Sequence, residues 1–500
     1  MTSGQWSPAT IVAVSLLCFS TLFTVYRTRS QRGNSSQRIP EVGEFLPLLT
    51  AWSFFAKRRD FLWENFKKTG AQIFRFRVLR HHVVAMKGLE ARKMFFNEKA
   101  LDLFEGVKIF SYTGPNMRDI DVAAAEQSNQ FLMKQFANLV SKERLVDVLP
   151  AMLKDTDALM AQWGAEGTLD PFKELNDVVF QLIVRMGSCR ELAEDRDVVS
   201  RMSVCLDNLE KNGTPIAHLL PWFPSPARRA IVRNNRALFE LVKPFVEARR
   251  AATERTTDTI DLLLQAGFPL DNVVELVLGV INAGYVNTGM NVGWTAIFTG
   301  MHPEWKDKLA AEFQALLANH TENSSLPIHE RLASIPLNVW EAELPVMDVV
   351  MRETLRMTMG ILSLRRNLGA DVSVGDKTIQ TGEFLAYPME DVHYDPEIYS
   401  DPHAFDPRRF DEGREEDKRA PLAFLAWGGG RHVCLGMRLA KLEVKLVLAM
   451  FFLTFEFQVV DAAGRVPKSL PRVDFNDLQR PRPQKGNPCY IKFKRLAKDN

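Results

Sequence analysis

Three glycines followed closely by a cysteine form the stretch richest in chemistry: Phe424-Leu425-Ala426-Trp427-Gly428-Gly429-Gly430-Arg431-His432-Val433-Cys434-Leu435-Gly436. Glycines reach positive φ and let the backbone come close to a flat partner. Cys434 then precedes a helical pattern of Leu435, Leu439, Leu442 and Leu446. A sulfur placed there faces the positive end of a helix and its free N–H groups, which favours the thiolate, the metal-binding form. The competing reading is a glycine-rich turn holding an ordinary core cysteine. Upstream, Glu353-Thr354-Leu355-Arg356 puts opposite charges at i and i+3 on one face of an apolar helix, Leu344–Met357. Alone, such a pair is a common surface salt bridge worth at most about 1 kcal/mol. A third pattern, Ala283-Gly284-Tyr285-Val286-Asn287-Thr288, places small and polar residues inside a long apolar run.

These residues need elements to hold them. Leu270–Thr299 is apolar and nearly free of charge after Glu275. Its asparagines make it a poor membrane span, so a buried central helix is expected. Val122–Asn319 reads as helical, broken at Gly213–Pro215 and Pro221–Pro226. Alternation in Ala71–Lys87 predicts a small hairpin. Short strands are expected near Leu362–Phe384, then a Pro- and Asp-rich coil over Tyr394–Arg419, and a final helix after Cys434. The expected fold is mainly α with small β-sheets, in one large domain over residues 41–500.

Composition narrows the partners. The chain is 46% hydrophobic and 25% charged, and 63 basic against 61 acidic side chains give no reason to expect nucleic acid. Five scattered cysteines without a CxxC pair exclude a disulfide scaffold and fit a reducing compartment. Met1–Tyr26 carries no charge, and Arg27, Arg29, Arg32 and Arg38 follow before the first acid, Glu41. Basic residues after the apolar run predict one uncleaved transmembrane anchor (1–26), a polar linker (27–40) and a cytosolic body. The sequons at Asn34, Asn212, Asn319 and Asn323 are then chance matches.

Taken together, these motifs resemble the cytochrome P450 family, whose loop usually reads Phe-x-x-Gly-x-Arg-x-Cys-x-Gly. Gly430, Cys434 and Gly436 match in register, with Trp427 for the usual Phe and His432 for the usual Arg. The resemblance implies a haem-binding cytochrome P450 fold, with Cys434 as the thiolate ligand of the haem iron. Trp427 would supply a ring beneath the sulfur, and His432 and Arg365 would donate to haem propionates. Phe405-Asp406-Pro407-Arg408-Arg409-Phe410 resembles the coil whose arginine, here Arg409, joins Glu353 and Arg356 in a structural triad. The usual Trp-x-x-x-Arg propionate contact has no match around Glu126–Phe136.

The distal helix departs most. The family usually carries an acid and a threonine there; Val286 and Asn287 stand in their places, with Thr288 one residue late. One reading makes Asn287, helped by Thr288 or the substrate, the organiser of the proton-delivering water in an oxygen-activating monooxygenase. The other is an isomerase or dehydratase acting on a peroxide-like substrate without oxygen activation. A catalytically silent haem protein is a third. The resemblance further implies NADPH–cytochrome P450 reductase as partner and the endoplasmic reticulum membrane as location. The implied substrate is lipophilic, a terpenoid, sterol or polyketide of the kind met in fungal secondary metabolism. Arg408, Arg409, Arg414, Lys418, Arg419, Arg431, Arg438, Lys441 and Lys445 are expected to include a basic docking face.

Overall fold

The computed structural model describes residues 38–43, 47–110, 133–322, 325–360, 362–477 and 480–497. The expected anchor, the linker up to residue 37 and most of the Glu126–Phe136 segment lie outside these residues.

Helix dominates. The elements that matter for the site are α1 (Pro47–Ala56), α2 (Arg58–Thr69), α3 (Leu89–Asn97), α4 (Glu174–Gly187), α5 (Leu270–Met301), α6 (Pro345–Thr358) and α7 (Met437–Thr454). The helix α5 is long and apolar enough to cross a membrane, but its run from Thr288 to Thr299 is wholly buried among other helices. Glycine lets α4 come close: a Cβ on Gly289 would sit 1.9 Å from Asn176 Oδ1, and one on Gly284 would sit 2.7 Å from Ile183. The helix α6 starts with Pro345, whose missing N–H is no loss at that position. The next free N–H groups, of Val346 and Met347, donate to the Glu312 carboxylate at 2.7 and 2.9 Å. A neighbouring helix thus caps the one that carries Glu353 and Arg356.

One six-stranded sheet lies beside the helices, built from β1 (Glu41–Val42), β2 (Ile73–Val78), β3 (His81–Met86), β4 (Leu101–Asp102), β5 (Leu362–Asn367) and β6 (Phe384–Pro388). Its order is β1-β2-β3-β6-β5-β4. The expected hairpin is β2–β3, pairing Ile73 with Met86 through Val78 with His81. All six residues of β5 are buried. Arg365 lies opposite Leu385 of β6 in this ladder.

A smaller sheet joins Glu166–Leu169, Phe455–Val460 and Tyr490–Arg495. The first of these strands corrects the expectation of unbroken helix there. Gly164, at φ +84, ends the preceding turn, and the chain leaves it extended. Along Phe455–Val460, Phe455, Phe457 and Val459 point inward while Glu456 and Gln458 face water. The main core runs through the helices, with α7 almost entirely inside it; two smaller clusters lie against the six-stranded sheet.

Candidate functional site

The cysteine loop is a tight hairpin. Gly428 and Gly429 (β7) pair with His432 and Val433 (β8), and Cys434 N–H donates to Trp427 O at 2.7 Å. Gly430 turns the tip at φ +55, and a Cβ there would lie 2.1 Å from the Phe96 carbonyl of α3. Arg431 N–H donates to that same carbonyl at 3.2 Å. Hairpin and helix therefore touch backbone to backbone, which only glycine permits. Gly436 is different: its φ is −86, and a Cβ would meet no chain atom within 4 Å.

Of the four described cysteines, Cys189, Cys205 and Cys489 are buried and Cys434 is exposed. An exposed sulfur on a braced hairpin does not fit an ordinary core cysteine. Its ionisation differs from expectation, however. Desolvation by its neighbours raises the thiol above its ordinary value, and the Gly436 N–H offsets only part of that. The reason is geometric: α7 begins at Met437, so one N–H, not a full helix turn, faces the sulfur. A coordinated metal ion would supply the remaining stabilisation, since a ligating thiol is deprotonated outright.

Behind the hairpin lies a buried ionic network. Arg356 Nε and Nη2 donate to the two Glu353 carboxylate oxygens, both at 2.8 Å, and Arg409 Nε donates to Glu353 Oε1 at 2.9 Å. The structure thus brings together the three residues paired from sequence, all fully buried. It adds a fourth and a fifth. Glu416 Oε2 accepts from Arg409 Nη1 at 2.6 Å. Burial alone would raise the Glu416 pKa, but hydrogen bonds from Ser400, Arg414 and Arg409 hold it down at about 2. His393 has its carbonyl against Arg356 Nη1 at 2.6 Å, its Nδ1 against Met359 O at 3.2 Å, and its Nε2 accepting Leu425 N–H at 3.0 Å. Burial and the Arg356 charge push its pKa down to about 3, so the ring is neutral. It ties α6 directly to the cysteine loop.

The arginines also serve the coil. Arg356 Nη1 donates to Pro402 O at 2.9 Å, and Arg409 donates to the carbonyls of Ser400 at 2.9 Å and Ala404 at 3.1 Å.

Beside the hairpin, burial first and then the charge of nearby Arg365 lower the His432 pKa. Arg365 is 3% exposed and donates to Leu364 O, but its Nε has no acceptor. Burial pushes its pKa down to about 10, opposed only by Asp102. Arg365 thus keeps a buried donor without an acceptor, as an anionic partner requires, while His432 already bonds the Leu101 backbone. Together with the accessible sulfur, these residues suit a haem, whose iron Cys434 would hold and whose propionates Arg365 and His432 would meet. Trp427 is half-buried, and Lys441 Nζ lies 5.9 Å from its ring centre.

On α5, Ala283 and Asn287 are exposed one helical turn apart, while Thr288 is turned inward and 5% exposed. Adjacent helical residues point about 100° apart, so Asn287 and Thr288 face different surroundings. The expected basic face also shrinks. Arg409 is consumed in the network, and Arg408, Arg414, Lys418, Arg419, Arg438 and Lys445 each pair with a carboxylate. Among the described residues, Arg431 and Lys441 make no ion pair.

A cavity of roughly 530 Å³, including its open mouth, lies between α2 and the start of β5. Leu362, Phe475 and Pro481 line it together with Arg58, Leu62 and Trp63 of α2.

Comparison with known proteins agrees with this geometry. The sequence profile of the family described as Cytochrome P450 matches residues 37–481. The cytochrome P450 monooxygenase AacuE of Aspergillus aculeatus is 28% identical, over 90% of this chain and 91% of its own length. The monooxygenase nsrP of Aspergillus novofumigatus is also 28% identical, over 92% and 91%. A sterol 14-demethylase of Arabidopsis thaliana is 23% identical, over 94% and 93%. The fold matches that of cyanobacterial CYP120A1 with retinoic acid bound, at a TM-score of 0.72 and 19% identity, over 93% of this chain and all of that one. With a fold, a cysteine hairpin and a family profile that coincide over most of its length, the chain belongs to the cytochrome P450 family, haem-dependent oxidoreductases.

Proposed function

We propose that this protein is a membrane-anchored monooxygenase of the endoplasmic reticulum that hydroxylates or epoxidises a lipophilic small molecule, a terpenoid, sterol or polyketide, in secondary metabolism. Its electrons come from NADPH through cytochrome P450 reductase. The observation that carries the reading is the accessible Cys434 on its braced hairpin, near the unpartnered Nε of the buried Arg365. Bound haem supplies the oxygen-activating chemistry, and thiolate ligation favours O–O cleavage.

The chain's own residues do the rest. Cys434 holds the iron, and Arg365 and His432 orient the ring by its propionates. Glu353, Arg356, Arg409, Glu416 and His393 hold the hairpin still. Trp427 covers the proximal side, and Gly430 lets the loop approach α3. The exposure of Asn287 beside Ala283, with Thr288 buried, supports giving proton delivery to Asn287, whose amide can both accept from and donate to water. Exposed Leu48, Leu49 and Trp52 on α1, with Trp222 (77% exposed) and Phe223, support contact with a lipid surface. The fungal monooxygenase relatives support the substrate class.

A reduced carbon-monoxide difference spectrum tests the ligand: wild type gives the red-shifted thiolate band, and Cys434→Ser abolishes it. An unchanged band in the variant refutes the assignment. Product formation from lipophilic candidates that requires NADPH and dioxygen then supports monooxygenation. Turnover of a hydroperoxide without NADPH supports the isomerase instead.

A further inference from the structure

The cavity between α2 and β5 has an unusual charge arrangement. Leu62, Trp63, Leu362 and Phe475 make its walls apolar, and two adjacent arginines, Arg58 and Arg59, share it. Arg59 is neutralised: its Nε lies 2.8 and 2.9 Å from the Glu390 oxygens and its Nη2 lies 2.7 Å from Oε1. Arg58 is not. It is 9% exposed, its Nε has no acceptor, and among the described residues it makes no hydrogen bond or ion pair. Its guanidinium is held by ring faces, 4.7 Å from the centre of Phe110 and 6.0 Å from that of Phe54.

Asp477 also lines the cavity, and its field opposes the desolvation that pushes the Arg58 pKa down to about 10. Yet it forms no ion pair with Arg58, and Oδ1 accepts the Arg480 N–H at 3.1 Å. Arg58 remains cationic at neutral pH, with its donors unused among the described residues. Burying such a group without a partner is costly, and the planar guanidinium fork matches a carboxylate.

The location is suitable for substrate. Leu362 opens β5, and Arg365 lies three residues along it, about 10 Å at the usual strand rise. A molecule fixed at Arg58 thus has its apolar remainder within reach of the cysteine side of the fold.

We propose that Arg58 is a specificity residue that binds the carboxylate of an acidic lipophilic substrate in this cavity, a refinement that rests on the monooxygenase reading. The test uses full-length holoenzyme, titrated calorimetrically with dodecanoate and with its neutral isostere dodecanamide. Wild type binds the acid about tenfold tighter, the effect of one charge-assisted hydrogen-bond pair. Arg58→Gln removes the preference, and Arg58→Lys, which keeps a cation, retains part of it. Equal affinities in wild type, or a preference that survives in Arg58→Gln, overturn the proposal. If Arg58→Gln fails to fold, Arg58→Lys carries the test: a reduced preference supports the proposal, and one unchanged from wild type overturns it. Each sample is also examined by its ferrous carbon-monoxide spectrum. A missing thiolate band in wild type defeats the haem-thiolate reading, separately from the calorimetric result.

Discussion

Acid should loosen this protein through one imidazole. His393 is buried with a pKa of about 3 against an ordinary 6.5. At intermediate pH the unfolded chain therefore binds a proton there that the folded chain does not. Stability from this group is complete above pH 6.5 and drains away as pH falls toward 3, by about 1.4 kcal/mol per pH unit. Between pH 6.5 and 4.5 the loss is about 2 kcal/mol. The structure gives the mechanism. Protonating Nε2 replaces the acceptor of the Leu425 N–H with a donor and sets a second cation beside Arg356. His393→Gln can still accept from Leu425 but cannot titrate, and it loses the Met359 contact. It should be less stable at pH 7 by about 1–3 kcal/mol. Between pH 6.5 and 4.5, however, its stability should fall less steeply than wild type by one proton's worth. Urea unfolding across that range measures both slopes, and the other histidines cancel in the comparison. Parallel pH profiles for the two proteins would refute the reasoning.

Two further outcomes concern the hairpin's supports. Glu353→Ala leaves Arg356 buried without its carboxylate, costs about 3–5 kcal/mol, and should abolish haem incorporation; normal haem content per protein would contradict this. Gly430→Ala combines a left-handed φ with a Cβ 2.1 Å from the Phe96 carbonyl. It should lower thermal stability by more than the roughly 1 kcal/mol of an unclashed Gly→Ala change at positive φ, and speed haem loss from the purified protein.

What could be read from sequence was local. The Cys434 loop, the Glu353–Arg356 pair and the apolar span of α5 show themselves by spacing within one element, where chain geometry decides who meets whom. His393 and Glu416 could not be found that way. Both sit on single helical turns too short to show periodicity, and His393 meets Leu425 only because α6 and the hairpin pack together. Arg58 reads as one more basic residue at a helix start until its missing partner is visible. Around Cys434 the opposite holds: counting charges along the chain does not reveal the carboxylates folded against most of the basic residues. Thr288 stood next to Asn287 in sequence but faces the core. The thiol's raised pKa depends on where α7 begins, a matter of one or two residues that hydrophobic spacing does not resolve.

The arginine contacts with the carbonyls of Pro402, Ser400 and Ala404 have a consequence for rebuilding this molecule. Interior coil without a ladder must find donors elsewhere, and here two guanidinium groups act as the missing neighbouring strand. The meander from Tyr394 to Arg419 is thus wired to its own anchors. Grafting it into another scaffold would require Arg356 to travel with it, though that residue belongs to a different element.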